Sequence, residues 1–357
     1  MPQKKVVHVV GTGTIGEPLI GLLAEVRQTL GFDEVTFHKR TPLTGDRSKV
    51  VDLVRRGARL AVDRDAWEGF QAIGIEPTYE TSEALERASV VIDCTPSGVG
   101  HKNKLQFYEK YASTAAGFIA QGSEFGFGKM YALGINDQAL KHGEDKFLQV
   151  VSCNTHNLAL LLHTLALSDG GPSNLVEGRF VCIRRANDIS QDNEYVPSPK
   201  VGAHKDERFG THHARDAYYL FRTLGLDLNL FSSALKVNSQ YMHVVWFGIR
   251  VRKPTTRDAV LKALGANEHV SLTEKTSANL VFSFGRDHGF YGRIFNQAVV
   301  PRSALHVHNG TEIVGFSFTP QDGNSIISSA AAATWFLYPD DYLKRIEPLK
   351  RYFFPEV

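Results

Sequence analysis

The chain has 357 residues, with 40 Lys or Arg against 38 Asp or Glu, which leaves a formal net charge of +2. Such a length suggests about two domains, and the near-zero charge argues against a nucleic-acid binder that works by bulk electrostatics. Only three cysteines are present, without a C-x-x-C pair, which excludes a disulfide scaffold and a zinc ribbon and favours a globular enzyme of a reducing compartment.

The first residues are unlike a targeting segment. Residues 1–5 are mostly polar, and the apolar run at 6–10 is too short for the core of a signal peptide. No stretch approaches the roughly 18 apolar residues that span a membrane. The sequence therefore predicts a cytoplasmic protein with neither membrane nor nucleic acid among its partners.

The first 150 residues alternate between strand and helix patterns. β-branched runs predict strands at 5–10, 34–38, 89–93, 117–120 and 147–152, and helical patterns occur at 17–30, 46–62 and 81–87, the last led by a Thr or Ser cap. Strands that alternate with helices are typical of βαβ units. We therefore expect a Rossmann-type parallel sheet that binds a dinucleotide.

The pattern changes after residue 153. An apolar helix is expected at 158–167, and β-rich runs at 179–185, 228–236, 240–252, 270–272, 280–284 and 313–319, with helices at 325–336 and 341–352. This predicts an α/β protein whose second part is an α+β catalytic domain with a mostly antiparallel sheet. The predicted domains are 1–152, with the helices of 325–357 returning to it, and 153–324. Long helices look sparse between 168 and 324, and the polar segment 186–211 is expected to be a functional loop.

A glycine-rich loop follows the first strand. Gly11, Gly13 and Gly16 form the G-x-G-x-x-G pattern between a strand and a helix, where a tight turn and a close backbone approach to a pyrophosphate need glycine. The second strand ends in His38-Lys39-Arg40-Thr41, without the acid that would bind the ribose hydroxyls of NAD. Two cations suit a 2′-phosphate, which favours NADP over NAD; the alternative is a solvated basic turn.

Cys153 stands where a strand gives way to an apolar helix. A cysteine at a helix N-terminus is expected to have a lowered thiol pKa and to be nucleophilic, whereas Cys94 and Cys182, in or just after strands, suit buried inert thiols. A thiolate with a nicotinamide cofactor predicts oxidation of an aldehyde through a thiohemiacetal and a thioester. Arg184-Arg185 and His212-His213 could bind a phosphate; an arginine pair is as often a solvated strand end.

These residues together resemble archaeal-type (type II) glyceraldehyde-3-phosphate dehydrogenase. The matching segments, in the same order, are Gly11-Thr-Gly-Thr-Ile-Gly16, Asp93-Cys-Thr-Pro-Ser-Gly-Val-Gly-His-Lys-Asn-Lys104, Gln121-Gly-Ser-Glu124, Val150-Val-Ser-Cys-Asn-Thr155, Arg184-Arg-Ala-Asn-Asp188, His212-His213, Met242-His243 and Gln321-Asp322. The resemblance implies a phosphorylating dehydrogenase of glycolysis and gluconeogenesis that takes D-glyceraldehyde 3-phosphate and inorganic phosphate, uses NADP or NAD, needs no metal and is a homotetramer.

The resemblance also implies roles for particular residues. Cys153 would be the nucleophile and His243 the base. The substrate and phosphate residues would be Ser152, Asn154, Thr155, Arg184, Arg185, His212 and His213. The cofactor residues would be Gly11, Gly13, Thr14, Ile15, Gly16, Lys39, Arg40, Thr41, Thr95, Pro96, Gly122 and Gln321.

The chain departs from that family at three places near the predicted substrate residues. His156-Asn157, Ala214-Arg-Asp216 and Val237-Asn-Ser-Gln240 replace the usual residues, which puts the identity of the aldehyde in doubt; Arg215 could contact phosphate or face water. Alternatives are a thioester-forming dehydrogenase of aspartate semialdehyde, an N-acetyl-glutamyl-phosphate reductase, and a non-catalytic NADP-binding regulator. The spacing of His306 and His308 could suit a metal, but no third ligand is evident and a surface pair is expected.

Overall fold

The computed structural model describes residues 4–122, 124–168, 170–188, 191–192, 194–239, 241–320 and 322–357. The chain divides into two compact units. The first comprises Met1–Tyr131, Leu140–Val150 and Ile326–Pro348, and the second comprises Ala132–Ala139, Val151–Ser325 and Leu349–Val357. That the first binds a cofactor and the second carries out catalysis stays a prediction.

The first unit is built on an eight-stranded sheet in which every pairing is parallel. Its strands are β1 (Val6–Val10), β2 (Glu34–His38), β3 (Arg59–Val62), β4 (Tyr79–Glu80), β5 (Val90–Asp93), β6 (Gly117–Gln121), β7 (Lys129–Tyr131) and β8 (Phe147–Val150). Their order is β4-β3-β2-β1-β5-β6-β8-β7. β1, β5 and β6 are buried along their whole length, as apolar central strands of a parallel sheet should be. The predicted Rossmann-type sheet is confirmed.

Five helices accompany these strands in the described part of residues 1–131. They are α1 (Gly16–Leu30), α2 (Arg47–Arg55), α3 (Trp67–Ala72), α4 (Thr81–Arg87) and α5 (Val99–Gln106). The helix predicted over 46–62 is wrong in its second half: Gly57 adopts a φ of 101°, which ends the helix, and the following residues pair with β2 as strand β3. The N-cap of α4 is Glu80 without a side-chain cap, so the expected Thr or Ser cap is wrong; Thr81 Oγ1 donates to Asp63 instead.

The second unit is built on a mixed, mostly antiparallel sheet. Its strands are β9 (Leu175–Arg184), β10 (Lys200–Val201), β11 (Leu230–Lys236), β12 (His243–Val251), β13 (Val270–Thr273), β14 (Ala298–Pro301), β15 (His306–His308) and β16 (Glu312–Thr319). The order is β10-β11-β9-β12-β16-β14-β13, with β15 on β16, and only the β9–β11 and β13–β14 pairs are parallel. The predicted architecture of this part is confirmed.

Helices are more frequent in this unit than the sequence indicates. α6 (Cys153–Leu162) continues as a π-helical turn over His163–Leu167, and α7 (His212–Arg222), α8 (Arg257–Ala266) and α9 (Ala278–His288) follow. The strand predicted at 280–284 is wrong because those residues belong to α9. Val281 and Gly285, four positions apart, are its buried residues, while Leu280 is 51% exposed, which is the one-sided burial of a surface helix.

Two helices complete the chain. α10 (Gly323–Leu337) and α11 (Tyr342–Ile346) agree with the predicted helices at 325–336 and 341–352, although Glu347–Tyr352 is a 3-10 turn. α10 packs within the first unit, where Gln121 Nε2 donates to Ser329 Oγ and Tyr338 Oη donates to the carbonyl oxygen of Gly31. No helix in the described ranges has the length and apolar character needed to cross a membrane.

Candidate active site

Cys153 is the first residue of α6. The helix begins there because Ser152, in extended conformation, caps it: Ser152 Oγ accepts the Thr155 backbone N–H at 3.3 Å and lies 2.9 Å from Thr155 Oγ1. Asn154 Oδ1 accepts from Thr319 Oγ1 on β16 at 3.1 Å. The predicted position of the thiol at a helix N-terminus is confirmed, and two of its predicted substrate-binding neighbours, Ser152 and Thr155, serve as the cap.

The protonation of this thiol differs from the expectation. Burial, and secondarily the carboxylate of Asp322, raise the pKa of Cys153 to about 12, although the cation of Arg185 acts in the opposite direction. The lowered pKa expected from the helix terminus is therefore wrong for the free chain, because the loss of hydration outweighs the favourable charges. The resting sulfur is a thiol at neutral pH, so a nucleophilic reaction needs a group to remove its proton.

His243, the first residue of β12, is held by the backbone of the residue that follows the neighbouring strand β9. The Arg185 backbone N–H donates to His243 Nδ1 at 3.1 Å. Burial, with help from the Arg185 and Arg184 cations, lowers the pKa of His243 well below its usual value, so the ring is neutral. Because Nδ1 accepts, the single ring proton lies on Nε2. Among the described residues no hydrogen bond joins His243 to Cys153.

Arg184 lies in a cluster that could bind an anion. In the described part of the chain its guanidinium has no ion-pair partner, and its charge acts on His212, His213 and His243. His213 is 3% exposed, and both of its buried ring nitrogens have no hydrogen-bond partner among the residues that the structure describes. Burial, then Arg184, lowers the pKa of His212 to about 4, so both histidines are neutral. They begin α7, whose helix N-terminus favours negative charge.

Arg185 has a different environment from Arg184 although both were predicted to bind phosphate. Its side chain is 2% exposed; it donates to Asp188 Oδ1 at 2.9 Å and to the carbonyl oxygen of Tyr241 at 3.2 Å, and it lies 3.6 Å from Asp322 Oδ2. Of the two arginines, Arg184 is therefore the one without an ion-pair partner within the described ranges, although its charge acts on the Glu194 carboxylate.

The family departures at 156–157 and 214–216 make internal contacts. Asn157 is fully buried and bonds to Thr319 and Ser317 of β16 at 2.9 and 2.8 Å. His156 Nδ1 lies 3.0 Å from the carbonyl oxygen of Ser152. Arg215 donates twice to the buried Asp216, at 3.0 and 2.9 Å, and remains 31% exposed. Gln240, the last residue of the third departure, lies outside the described residues.

In the first unit, the glycine loop has the geometry that a pyrophosphate requires. Gly11 has a φ of 98°, a Cβ on Gly16 would lie 2.1 Å from the carbonyl oxygen of Gly11, and a Cβ on Gly13 would meet nothing within 4 Å. Close packing is thus needed at Gly16 and open space exists at Gly13. α1 begins after Ile15 without a side-chain cap. These residues fit a dinucleotide phosphate at the helix N-terminus.

The two cations that follow β2 are not equivalent. Lys39 Nζ is 2.6 Å from Asp46 Oδ2, whereas Arg40 is exposed and has no ion-pair partner among the described residues. Arg40 lines a cavity of about 270 Å³. The other lining residues are Thr41, Pro42, Asp63, Asp65, Ala66 and Gly69.

The other predicted cofactor residues follow β5 and β6. Thr95 bonds to Asp93 through its backbone and side chain, and the carbonyl oxygen of Pro96 accepts the Val99 N–H at 3.0 Å. Gly122 has a φ of 49° and donates to the carbonyl oxygen of Val150. Gln321 lies outside the described residues. The loops after β1, β2, β5 and β6 thus share the carboxyl-terminal edge of one parallel sheet.

A metal site is not formed by the residues that the structure describes. Within them no group of three His, Cys, Asp or Glu side chains could hold a metal ion. His306 and His308 lie on β15 with their ring centroids 6.4 Å apart, and both are exposed.

Comparison with known proteins relates the chain to one family of enzymes. No family model matches. The glyceraldehyde-3-phosphate dehydrogenase of Pyrobaculum islandicum is 24% identical over 320 residues, 86% of this chain and 85% of that protein. The glyceraldehyde-3-phosphate dehydrogenase of Hyperthermus butylicus is 30% identical over 280 residues, 75% of each chain. The chain belongs to the glyceraldehyde-3-phosphate dehydrogenase family.

The sequence-based prediction assigned no role to two acidic side chains of this member of the glyceraldehyde-3-phosphate dehydrogenase family. Asp322 is 6% exposed and acts on Cys153, and Asp63, on the segment after β3, lies 3.5 Å from His38 Nε2. Asp63 directly follows β3, and the parallel pairing of β3 with β2 brings it beside the end of β2. Asp322 stands in the quoted Gln-Asp segment, which is the only sequence signal that pointed to it.

Proposed function

We propose that the chain is an archaeal-type (type II), phosphorylating glyceraldehyde-3-phosphate dehydrogenase. It would oxidise D-glyceraldehyde 3-phosphate with NADP, or with NAD, to 1,3-bisphosphoglycerate. The observation that carries the proposal is the cluster of Arg184 and His213 in the same unit as Cys153. Among the described residues Arg184 has no ion-pair partner and the ring nitrogens of His213 have no hydrogen-bond partner. Family membership and the names of the two relatives described above support the same activity. The homotetramer and the cytoplasmic location stay predictions.

The proposed reaction uses Cys153 twice. Its sulfur adds to the aldehyde carbon after loss of the thiol proton, and the aldehyde oxygen takes up a proton to give a thiohemiacetal. This becomes a thioester when hydride leaves the carbon and the hydroxyl proton passes to a base. The bound nicotinamide supplies the hydride acceptor. An oxygen of inorganic phosphate then attacks the thioester carbon, the carbon–sulfur bond breaks, and the thiolate regains a proton. Because the pKa of Cys153 is raised, loss of the thiol proton needs a base, and the thiolate released at the end is readily reprotonated.

His243 is the proposed acid-base partner. In the tautomer that Arg185 fixes, its Nε2–H can donate to the substrate oxygen as charge develops there. To take the thiol proton at Nε2, the ring needs its proton on Nδ1, so it must give up the Arg185 N–H bond. Arg184, His212 and His213 would bind the phosphate groups, with Arg184 as the cation and the neutral histidines as donors. Arg185, which pairs with the carboxylates of Asp188 and Asp322, would orient this group.

The assay that tests the function compares two aldehydes. With NADP and phosphate, we expect the wild-type protein to produce reduced cofactor from glyceraldehyde 3-phosphate, with a kcat/KM about a hundredfold or more above that for unphosphorylated glyceraldehyde, because an unfilled anion site leaves polar groups unpaired. Omission of inorganic phosphate should stop steady-state turnover. Faster turnover of aspartate semialdehyde would replace the proposal with the related dehydrogenase. Cofactor binding without oxidation of any phosphorylated aldehyde would favour the non-catalytic regulator.

The cofactor preference rests on Arg40, since Asp46 already balances the charge of Lys39. We expect Arg40→Ala to weaken NADP binding about tenfold and to leave NAD binding nearly unchanged, because only NADP has a 2′-phosphate for the guanidinium. Lys39→Ala is the matched control and should have a smaller effect. Dissociation constants from fluorescence titration of the free protein provide the measurement. Equal losses for both cofactors would contradict the 2′-phosphate role.

A further inference from the structure

A buried chain of hydrogen bonds joins the helix that begins at Cys153 to strand β16. Ser317 Oγ donates to Asn157 Oδ1 at 2.8 Å, and Asn157 Nδ2 donates to Thr319 Oγ1 at 2.9 Å. The Thr319 hydroxyl in turn donates to Asn154 Oδ1 at 3.1 Å. Each of these four residues is at most 2% exposed. The Thr319 hydroxyl, which both accepts and donates, therefore links the two asparagines of α6 to the sheet.

The strand pairing places Thr319 next to the proposed acid-base residue. Thr319 lies directly opposite His243 in the antiparallel pairing of β16 with β12. The side chains of directly opposed residues lie on the same face of a sheet, with their Cβ atoms about 5 Å apart. From that face the Thr319 hydroxyl bonds to α6, which lies against both strands. Thr319 is thus beside His243 and bonded to the turn that carries Cys153.

We propose that Thr319 is a positioning residue, whose hydroxyl holds the first turn of α6, and with it Cys153, at a fixed distance from His243. The proposal rests on the proposed roles of Cys153 and His243 in the reaction. The branched Cβ of threonine restricts its rotamers, so the hydroxyl has a defined direction. A fully satisfied buried polar network rigidifies one arrangement. Rigidity matters here because a displacement of about 1 Å in a reacting group can cost about a hundredfold in rate.

Asn157 makes this attachment a feature of the chain's own sequence, since it stands at one of the departures from the family. Its side chain bonds to Ser317 and Thr319, which are two positions apart and so face the same way from β16. Asn154 and Asn157 are three positions apart and share a face of α6. The departure at Asn157 therefore strengthens the attachment of α6 to the sheet and does not by itself indicate a different aldehyde.

The kinetics of two Thr319 variants test the role. Thr319→Val removes the hydroxyl and keeps the branched shape, and we expect kcat for glyceraldehyde 3-phosphate to fall at least about tenfold. The KM for the aldehyde should change by less than about twofold, because Arg184 and His213 keep their places. Thr319→Ser retains a hydroxyl and should keep kcat within about threefold of the wild-type value. The measurement is steady-state formation of reduced cofactor at saturating phosphate and NADP.

Hydrogen exchange of the free protein tests the attachment without substrate or cofactor. The backbone N–H groups of Thr155 and His156 bond to Ser152, and local opening of this turn exposes them to exchange. Thr319→Val should raise their exchange rate about tenfold, measured by mass spectrometry of the peptide spanning 152–160, whereas Thr319→Ser should exchange like the wild type. If Thr319→Val does not fold, Asn157→Ala replaces it, because alanine suits a helix and breaks the same chain of bonds.

Thr164→Val is the matched control. Thr164 is 7% exposed, and its hydroxyl accepts from Asn267 Nδ2 at 2.8 Å in the π-helical turn that continues α6. It lies about three turns from Cys153, so the variant should lose stability but keep kcat within about twofold. The proposal is wrong if Thr319→Val exchanges at the wild-type rate, or if Thr319→Ser or Thr164→Val loses as much kcat as Thr319→Val. Inactive wild-type protein with the expected change in exchange would remove the proposed function and leave the attachment role in place.

Discussion

Cys153→Ser is expected to lower kcat/KM for oxidation of glyceraldehyde 3-phosphate by about 10⁴-fold. A serine hydroxyl ionises far less readily than a thiol and is the poorer nucleophile, and loss of a covalent nucleophile typically costs this much. Folding should be retained, because the residue is half-buried at the first position of α6 and serine is well tolerated near a helix N-terminus. The measurement is steady-state formation of reduced cofactor with saturating phosphate.

A matched control separates the nucleophile from its neighbour in the same unit. Cys182→Ala removes a buried thiol of β9 that has no proposed role, and kcat/KM should stay within about twofold even if stability falls. Without inorganic phosphate, wild-type protein should accumulate an acyl group on the Cys153 peptide, detectable by mass spectrometry, and Cys153→Ser should not. Substantial activity in Cys153→Ser would refute the thioester mechanism.

The second large effect is loss of stability in mild acid. Burial lowers the pKa of seven of the 14 histidines, to about 3 for His8 and about 4 for His156 and His212. The others are His163, His213, His243 and His269. Each folded-state pKa lies below the unfolded value, so the stabilising effect is complete above pH 6.5 and is lost as pH falls from there. Each histidine contributes up to about 1.4 kcal/mol per pH unit to that loss.

Two buried acidic side chains oppose this loss of stability, but the seven histidines outnumber them. Burial raises the pKa of Asp216 to about 6 and also raises that of Asp322. The contribution of each carboxyl group to the free energy of unfolding therefore increases as pH falls below its pKa in the folded protein. We therefore expect the free energy of unfolding, from guanidinium titrations, to fall steeply between pH 6.5 and 4.5. His8→Asn should reduce the slope by about 1.4 kcal/mol per pH unit, whereas the exposed His306→Asn should not change it. A flat profile over this range would contradict the burial of these rings.

The sequence predicted both sheets and most strand positions because runs of Val, Ile and Phe favour buried strands over other elements. It failed where one residue decided the outcome, as at Gly57, and where a short apolar run was compatible with either element, as at 280–284. In the site, the helix start at Cys153 followed from local pattern. The different environments of Arg184 and Arg185, and the buried charge of Asp322, depend on contacts between distant segments, which no local pattern contains.

The late position of α10 in the chain matters during protein synthesis. Phe336 packs so closely over Gly117 on β6 that an added Cβ would lie 2.1 Å from its ring, and Gln121 bonds to Ser329, 208 residues later. At about 5–20 residues per second, the ribosome needs about 10–40 s to make the intervening segment. During that time α10 cannot yet pack on the apolar face of β6, so we expect the nascent chain to bind chaperones that recognise exposed strands.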